Sequence, residues 1–225
     1  MKLYLFHGSE IVVGKPLWGF GKIHNDYGQG FYCTEHKEMA NEWAIGDGRN
    51  GYVNCYSIDM DGLTLLNLNS DNYNVLHWLA VLLENRVFEI SSPLASEAKT
   101  YILENFSVNY NEFDLIRGYR ADDSYFSFAQ DFIGGTISFR QLSEAMMLGD
   151  LGEQIVLKSR RAFDRIEFSG YEISRASEWY ESRMQRDHSA RRRYLDFVRY
   201  GRKRGDLFIS QIIDEGMKGN DSRLR

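Results

Sequence analysis

Three separated segments of this 225-residue chain carry the residues best suited to chemistry. The first reads Phe-His-Gly-Ser from residue 6, the second covers residues 26–34 (Asp-Tyr-Gly-Gln-Gly-Phe-Tyr-Cys-Thr), and the third covers residues 152–157 (Gly-Glu-Gln-Ile-Val-Leu). An imidazole donates or accepts hydrogen bonds, an aromatic face stacks on a flat cationic ring, and a carboxylate or amide binds a hydroxyl. These segments therefore supply the candidates for binding and catalysis.

The sequence lacks the motifs of several common binding and catalytic sites. The chain has no Gly-x-x-x-x-Gly-Lys-Ser/Thr phosphate loop, and residues 28–30 (Gly-Gln-Gly) lack the third glycine and the strand-to-helix context of a dinucleotide fingerprint. The five histidines show no metal-binding spacing, and Cys33 and Cys55 are too few for a disulfide framework or a four-ligand zinc site. Neither cysteine has an activating context, and nothing indicates a serine or cysteine hydrolase. We therefore expect no metal.

The elements that must position these residues follow from local hydrophobic periodicity and turn residues. The predicted strands cover residues 2–7, 31–34, 51–59, 63–68, 114–118, 153–159 and 165–168. The predicted helices cover residues 35–44, with Thr34 as cap, and 72–88, 94–105, 124–132, 138–147 and 174–200. Short strands mixed irregularly with helices predict an α+β fold with mostly antiparallel or split sheets, rather than a doubly wound one.

Composition bounds the class of protein. The chain is 43% hydrophobic and 14% aromatic, which is enough for a sizeable core in one domain with a short appendage. No apolar run approaches the ~20 residues that a membrane span needs, and residues 1–6 are too short for a signal-peptide core. We therefore expect a reduced, cytoplasmic protein with no membrane contact.

The charge is unevenly distributed. Residues 1–170 hold 14 basic and 23 acidic side chains, whereas residues 171–225 hold 13 basic and 9 acidic ones. Nine of the basic residues fall within 183–204. This asymmetry predicts a body over residues 1–170 and a basic helical C-terminal extension over residues 171–225. The basic segment is either a solvated helix face, a contact for nucleic acid, or a contact for an acidic protein surface, including the body.

The order of the three segments resembles the ADP-ribosyltransferase superfamily in its His-Tyr-Glu branch. That branch has a strand-end His-Gly, a Gly-x-Tyr strand that leads into a helix, and a late strand that carries Glu. The closer resemblance is to an uncharacterised bacterial domain family grouped with those transferases, whose members look like toxins of two-gene toxin–antitoxin loci. It covers about residues 3–168 and includes these further marks: Val53-Asn54-Cys55-Tyr56, Trp78-Leu79, Asn85-Arg86, the Phe-Asp-Leu-Ile-x-Gly segment and Ala-Asp-Asp turn of residues 113–123, and Gln154.

The resemblance implies a split β-sheet core with flanking helices and a site for NAD, which is consumed as a substrate. It implies that His7 hydrogen-bonds the adenosine ribose and that Gly8 presents its backbone to the nicotinamide amide, where a Cβ would obstruct. It implies that Tyr32 stacks on the nicotinamide ring, with Tyr27 as a second stacking wall. The remaining candidates for NAD binding are Ser9, Gly30 and Asp122.

The late strand departs from the superfamily pattern. Aligned through the aliphatic residues that follow, Gln154 takes the position of the catalytic Glu, whereas a shift of one residue places Glu153 there. Adjacent strand residues point to opposite faces, so only one of them faces the site unless a bulge intervenes. An amide binds a hydroxyl but carries no negative charge.

Other residues are candidates for the missing charge. Arg86, together with Asp122 or Asp123, could supply it or contact the pyrophosphate, for which a guanidinium is well shaped. Arg86 also suits a surface ion pair, and Asp122 and Asp123 suit a turn or a helix cap.

These features predict an NAD-dependent ADP-ribosyltransferase of bacterial toxin type that releases nicotinamide. Its expected partners are a macromolecular target, either protein or nucleic acid, and a cognate antitoxin. Two alternatives remain: a catalytically silent module that binds NAD or a nucleotide, and a nucleic-acid-binding protein that acts through the basic tail.

Overall fold

The computed structural model describes residues 1–46, 48–121, 123–146 and 153–224, and the side chains of residues 123–125 lie outside the description. Within these ranges the protein is a mixed α+β fold, as predicted, with two sheets and eight α-helices. The strands are β1 (Lys2–Ser9), β2 (Phe31–Cys33), β3 (Gly51–Asp59), β4 (Leu65–Asn67), β5 (Leu115–Tyr119), β6 (Glu153–Leu157) and β7 (Ile166–Ser174). The helices are α1 (Lys37–Ala44), α2 (Val75–Asn85), α3 (Pro93–Asn105), α4 (Asp123–Ile133), α5 (Phe139–Ala145), α6 (Arg160–Arg165), α7 (Ala176–Tyr200) and α8 (Ile209–Asp214). None of the described helices has the length and apolarity to span a bilayer.

A backbone bridge joins the two sheets. The first is antiparallel with the order β1-β3-β7, and the second has the order β2-β6-β5-β4, in which only the β4–β5 pair is parallel. Phe6 on β1 and Thr34, directly after β2, exchange both backbone hydrogen bonds, at 2.8 and 2.9 Å. This bridge brings the end of β1 and the end of β2 side by side, so His7 and Tyr32 become neighbours.

Helix α2 forms the centre of the main core. Asn74 caps its first turn, where the Asn74 side chain accepts from the backbone N–H of Leu76 and the backbone N–H of Asn74 donates to Nδ1 of His77. Eight of its eleven residues are buried, including Trp78 at 1% exposure. Burying a large apolar side chain stabilises the fold by roughly 1.5–3 kcal/mol. The core therefore holds the C-terminal end of α2, and with it Arg86, in a fixed position.

Helix α1 packs closely against β1 at Gly8. A Cβ at Gly8 would lie 2.0 Å from the backbone oxygen of Ala40 and 2.7 Å from the backbone nitrogen of Ala44. Neither backbone atom can move aside without displacing the helix, so only glycine fits here.

Replacement of Gly8 by alanine is expected to lower the free energy of unfolding by about 3 kcal/mol or more, since overpacking against backbone is costly. The matched control is Gly14→Ala, because a Cβ at Gly14 meets nothing within 4 Å. Urea unfolding of the two variants measures the difference. Equal midpoints would show that the close approach of α1 does not constrain residue 8.

The boundary expected after residue 170 falls inside β7, which pairs with β3 through residue 174. The C-terminal segment also contributes buried side chains to the main core, namely Tyr194, Ile209, Ile212, Met217 and Leu224. The apolar residues of this segment are sparse in the sequence. They are buried because they contact helices that are distant in the chain. Residues 171–225 are therefore an integral part of the fold.

Most of the other predicted elements are confirmed within a few residues, with two corrections. Thr34 does not cap α1; the cap position is His36, and the Thr34 hydroxyl instead donates to the backbone oxygen of Glu153 at 3.2 Å. Helix α6 was not predicted, because its six residues are shorter than the periodicity of a helix can reveal. Ser159 caps it by accepting from the backbone N–H of Ala162 at 3.1 Å.

Candidate functional site

A cavity of about 940 Å³ opens where the two sheets meet. Six of the residues predicted from the sequence line it: His7, Ser9, Gly30, Tyr32, Arg86 and Gln154. They come from β1, β2, β6 and the end of α2, which lie up to 147 residues apart in the chain. Pockets for small ligands typically measure about 300–1,000 Å³, so this cavity has room for a dinucleotide-sized ligand.

The imidazole of His7 is held in one tautomer. Its Nδ1 lies 2.7 Å from the backbone oxygen of Tyr32, which can only accept, so Nδ1 carries the hydrogen. Burial lowers the pKa of His7, although the hydrogen bond to Tyr32 acts in the opposite direction. The neutral ring stands 4.5 Å from the ring of Phe31, measured between centroids. Its Nε2 is therefore an acceptor, which suits a ligand hydroxyl.

The ring of Tyr32 is fixed by its phenol. The hydroxyl donates to the backbone oxygen of Gly28 at 2.6 Å and accepts from the backbone N–H of Tyr27 at 3.1 Å. Burial raises the pKa of Tyr32, so the phenol stays neutral. Because both hydrogen bonds are internal, what Tyr32 offers to the cavity is its aromatic surface.

The alternation along β6 decides which late-strand residue faces the cavity. Gln154 lines it and is 4% exposed. Its Nε2 donates to Asp26 Oδ2 at 2.9 Å and to the backbone oxygen of Tyr119 at 3.2 Å. With both amide hydrogens used, the remaining capacity of this amide is that of an acceptor.

Glu153 points to the opposite side of the strand. Its Oε1 accepts from Asn69 Nδ2 at 2.8 Å, and its Oε2 lies 3.5 Å from Arg117 Nη1. Glu153 is not among the residues that line the cavity. Of these two residues of β6, Gln154 lines the cavity and Glu153 does not.

A carboxylate that the sequence reasoning missed stands beside Gln154. Asp26 is 6% exposed and lines the cavity. Its Oδ1 lies 3.0 Å from Arg86 Nη1, and its Oδ2 accepts from the backbone N–H of Ala121 at 2.8 Å as well as from Gln154. Burial raises the pKa of Asp26, while these hydrogen bonds and the charge of Arg86 lower it. The cavity therefore holds a carboxylate and an amide that are hydrogen-bonded to each other at 2.9 Å.

The other predicted residues lie elsewhere. Gly8 does not line the cavity, and the space that its missing Cβ leaves is filled by α1. Tyr27 is fully buried, and its hydroxyl donates to the backbone oxygen of Tyr119 at 2.7 Å, so its ring is part of the core and forms no stacking wall. Asp122 lies outside the described residues. Asp123 begins α4, and its side chain lies outside the description.

The outer walls of the cavity come from two unexpected places. One wall is the loop after β1, which contributes most of residues 11–21. The other is α7, whose Arg183 donates to the backbone oxygen of Gly46 at 2.9 Å and whose Arg186 forms an ion pair with Glu42. Between them, the guanidinium of Arg120 lies 5.0 Å from the ring centre of Trp43. The described lining residues include six cations and three carboxylates.

This set of groups suits a ligand with a flat ring, hydroxyls and phosphates. The aromatic surface of Tyr32, the acceptors on His7 and Gln154 and the surplus of cations provide complementary contacts. No group of three or more His, Cys, Asp or Glu side chains that could hold a metal ion exists among the described residues.

The fold and cavity define an α+β protein with a ligand-sized site between two sheets. The chain belongs to the family described as "Protein of unknown function (DUF3990)", whose model matches residues 1–168. Searches of curated proteins and of solved structures each return no match. The family match ends inside β7, so the cavity residues contributed by α7 lie beyond it.

The residues that sequence reasoning missed share one property. Asp26, Trp43 and Arg120 each stand in the cavity wall through long-range contacts, and none belongs to a local repeat or spacing. Asp26 heads the second segment of the sequence motif, which is the one signal that could have singled it out.

Proposed function

We propose that this protein is an NAD-dependent ADP-ribosyltransferase, with NAD as the ADP-ribose donor. The single observation that carries the proposal is the convergence of His7, Tyr32 and Gln154 on one cavity. The resemblance assigns these three positions to the adenosine ribose, the nicotinamide ring and the nicotinamide ribose. The junction of the two sheets at Phe6 and Thr34 supports it, because a split-sheet core is the architecture that the resemblance implies.

The proposed reaction breaks the bond between C1′ of the ribose and the nicotinamide nitrogen. Nicotinamide leaves as a neutral molecule with the bonding electrons, and the transition state resembles an oxocarbenium ion. A nucleophilic oxygen or nitrogen of the acceptor then bonds to C1′ and releases its proton. Asp26 supplies negative charge near the developing positive charge, and Gln154 accepts a hydrogen bond from the ribose.

The surplus of cations supports the same donor. The pyrophosphate of NAD needs positive charge, and Arg86 is both ion-paired to Asp26 and exposed to the cavity at 23% of its side chain. A guanidinium presents a fork of donors that fits phosphate oxygens. We therefore assign Arg86 to the pyrophosphate as well as to the orientation of Asp26.

The proposed biological setting is that of a bacterial toxin in a toxin–antitoxin or defence system. It rests on the resemblance of residues 3–168. In this setting the protein acts in the cytoplasm on a macromolecular target, and a cognate antitoxin holds it inactive.

Incubating the purified protein with NAD and a bacterial cell extract tests the proposal. We expect free nicotinamide to accumulate and an acceptor to gain the mass of ADP-ribose in mass spectrometry. His7→Ala is the matched control, since it removes one cavity contact and should suppress both signals. A folded protein that neither binds NAD nor releases nicotinamide would contradict the proposal.

A second candidate function is favoured by the amide of Gln154. A cavity without a Glu on β6 is also suited to binding NAD without cleaving it, which would make the protein a silent nucleotide-binding module. Isothermal titration with NAD separates the two functions: binding with no nicotinamide release supports the module.

A further inference from the structure

The mouth of the cavity is bordered by an unusually apolar loop. We call residues 11–23 the rim loop. Trp18 is 58% exposed and Phe20 is 81% exposed, and Phe20 also lines the cavity. The indole N–H of Trp18 donates to the backbone oxygen of Lys158 at 3.2 Å, which holds the ring against the body while more than half of the residue stays in contact with solvent. The rim loop therefore presents exposed aromatic rings beside the site.

The rim loop also carries lysine side chains. Lys15 lines the cavity and Lys22 is exposed, and neither forms an ion pair or hydrogen bond through its side chain with any described residue. Helix α7 contributes Arg183 and Arg191 to the same cavity. Exposed arginines continue along α7 beyond the cavity at positions 192, 193 and 199.

Each carboxylate among the described lining residues has an arginine partner. Asp26 pairs with Arg86, Glu42 with Arg186, and Asp187 with Arg191. The cations left over make the mouth positive, although the whole chain carries a net charge of −5. A positive mouth on an acidic protein attracts a polyanion to this one place.

From this combination we propose that the rim loop and α7 together bind single-stranded nucleic acid, and that a nucleotide of the strand is the ADP-ribose acceptor. The second half of this statement rests on the proposed function. Proteins that bind single strands combine a positive groove, which follows the phosphates, with aromatic side chains on which bases stack. Trp18 and Phe20 provide the stacking surfaces, and Lys15 and the arginines of α7 provide the phosphate contacts.

A single strand fits this surface better than a duplex does. A base must leave its stack to reach a cavity, and in a single strand this costs least. In the transfer, an oxygen or nitrogen of the nucleotide bonds to C1′ and loses a proton, while nicotinamide leaves with the electrons of the broken bond. The rival occupant is an acidic protein segment, since Ile11, Leu17 and Ile23 of the rim loop are also exposed.

Fluorescence anisotropy with a labelled 15-nucleotide strand, without NAD, tests the surface. We use DNA and RNA of the same sequence to determine which sugar is preferred. The aromatic variant Trp18→Ala/Phe20→Ala is expected to weaken binding by about 25-fold or more, because each of the two lost stacking contacts is worth about fivefold or more. The charge variant Lys15→Glu/Lys22→Glu is expected to weaken it at least tenfold, and to reduce the slope of log affinity against log salt by about 1.4, at about 0.7 per phosphate contact.

The control for the charge variant is Lys99→Glu/Lys218→Glu, which makes the same change of charge on two lysines that do not line the cavity. We expect this control to bind the strand within about twofold of wild type. Equal loss in the control and the charge variant would show non-specific attraction and overturn the proposal. Unchanged binding in the aromatic and charge variants would also overturn the proposal. Binding of a poly-glutamate peptide in preference to both strands would overturn it as well.

The same set of proteins separates this inference from the proposed function. If wild type binds the strand through the rim loop but releases no nicotinamide from NAD, the nucleic-acid-binding surface is supported and the transferase proposal is contradicted. If nicotinamide is released but the aromatic and charge variants bind and modify nucleic acid as wild type does, the transferase proposal is supported and the nucleic-acid-binding surface is contradicted.

Discussion

Replacement of Gln154 by alanine is expected to lower nicotinamide release from NAD by about 100-fold, the scale on which a single preorganised hydrogen bond in an active site matters. The reason is geometric: both hydrogens of its amide are committed to Asp26 and to the backbone oxygen of Tyr119, so the amide oxygen is oriented as a hydroxyl acceptor. Chromatographic measurement of nicotinamide over time, at saturating NAD, gives the rate.

Glu153→Ala is the matched control on the neighbouring residue. It loses the hydrogen bond to Asn69 and the contact with Arg117, which lie away from the cavity. We expect a loss of about 1 kcal/mol in the free energy of unfolding and a rate of nicotinamide release within about twofold of wild type. A larger loss of rate in Glu153→Ala than in Gln154→Ala would mean that β6 presents the other face to the substrate.

Asp26→Asn is expected to lower nicotinamide release by about 100-fold or more, because it removes the negative charge of the carboxylate that is hydrogen-bonded to Gln154. It also leaves the partly buried Arg86 without its ion pair, at a cost of roughly 2–3 kcal/mol in the free energy of unfolding. Urea unfolding of the variant shows whether the loss of rate occurs in folded protein.

A swap of the two groups separates catalysis from packing. Gln154→Glu alone would place a second carboxylate about 3 Å from that of Asp26, and the repulsion should raise the pKa of one of them and lower the rate. The double variant Asp26→Asn/Gln154→Glu restores one carboxylate and one amide in exchanged positions. We expect the double variant to release nicotinamide at least tenfold faster than Asp26→Asn. If it is no faster, the charge of Asp26 is not what the reaction needs.

In the proposed transferase, Gln154 and Asp26 together take over the tasks of the late-strand Glu. In the superfamily pattern one carboxylate would both bind the ribose hydroxyl and supply negative charge. Here the two tasks fall to two side chains that are 2.9 Å apart and come from different segments. The proposed activity therefore does not require Glu153 to enter the cavity.

Local sequence patterns were sufficient for most of the elements. The bounds of β3 were predicted without error, because alternating buried residues between glycine and aspartate mark a strand within a short window. Helix α2 was predicted from its apolar face, and its ends were overestimated by three residues on each side. Such signals are local, and each depends on neighbours within a few positions in the chain.

The register of β6 shows where local information stops. The two-residue period of a strand predicts that Glu153 and Gln154 point to opposite faces. It does not predict which of the two faces borders a cavity. That choice depends on the neighbouring strands β2 and β5, whose residues pair with residues of β6 that lie 34 to 126 positions away in the chain. The same holds for Tyr27, whose aromatic ring is in the core because Tyr119 and Gly118 of β5 lie against it.

Composition and periodicity predicted an α+β chain with a basic C-terminal region, and the resemblance of its motifs made His7, Tyr32 and the β6 pair candidates. The folded chain added that six of the predicted residues share one cavity, that Asp26 stands beside Gln154, and that α7 closes a wall of the site. These features depend on contacts between segments that are far apart in the chain. The free energy of those contacts comes from burial and hydrogen bonds, which form only when the two sheets pack together.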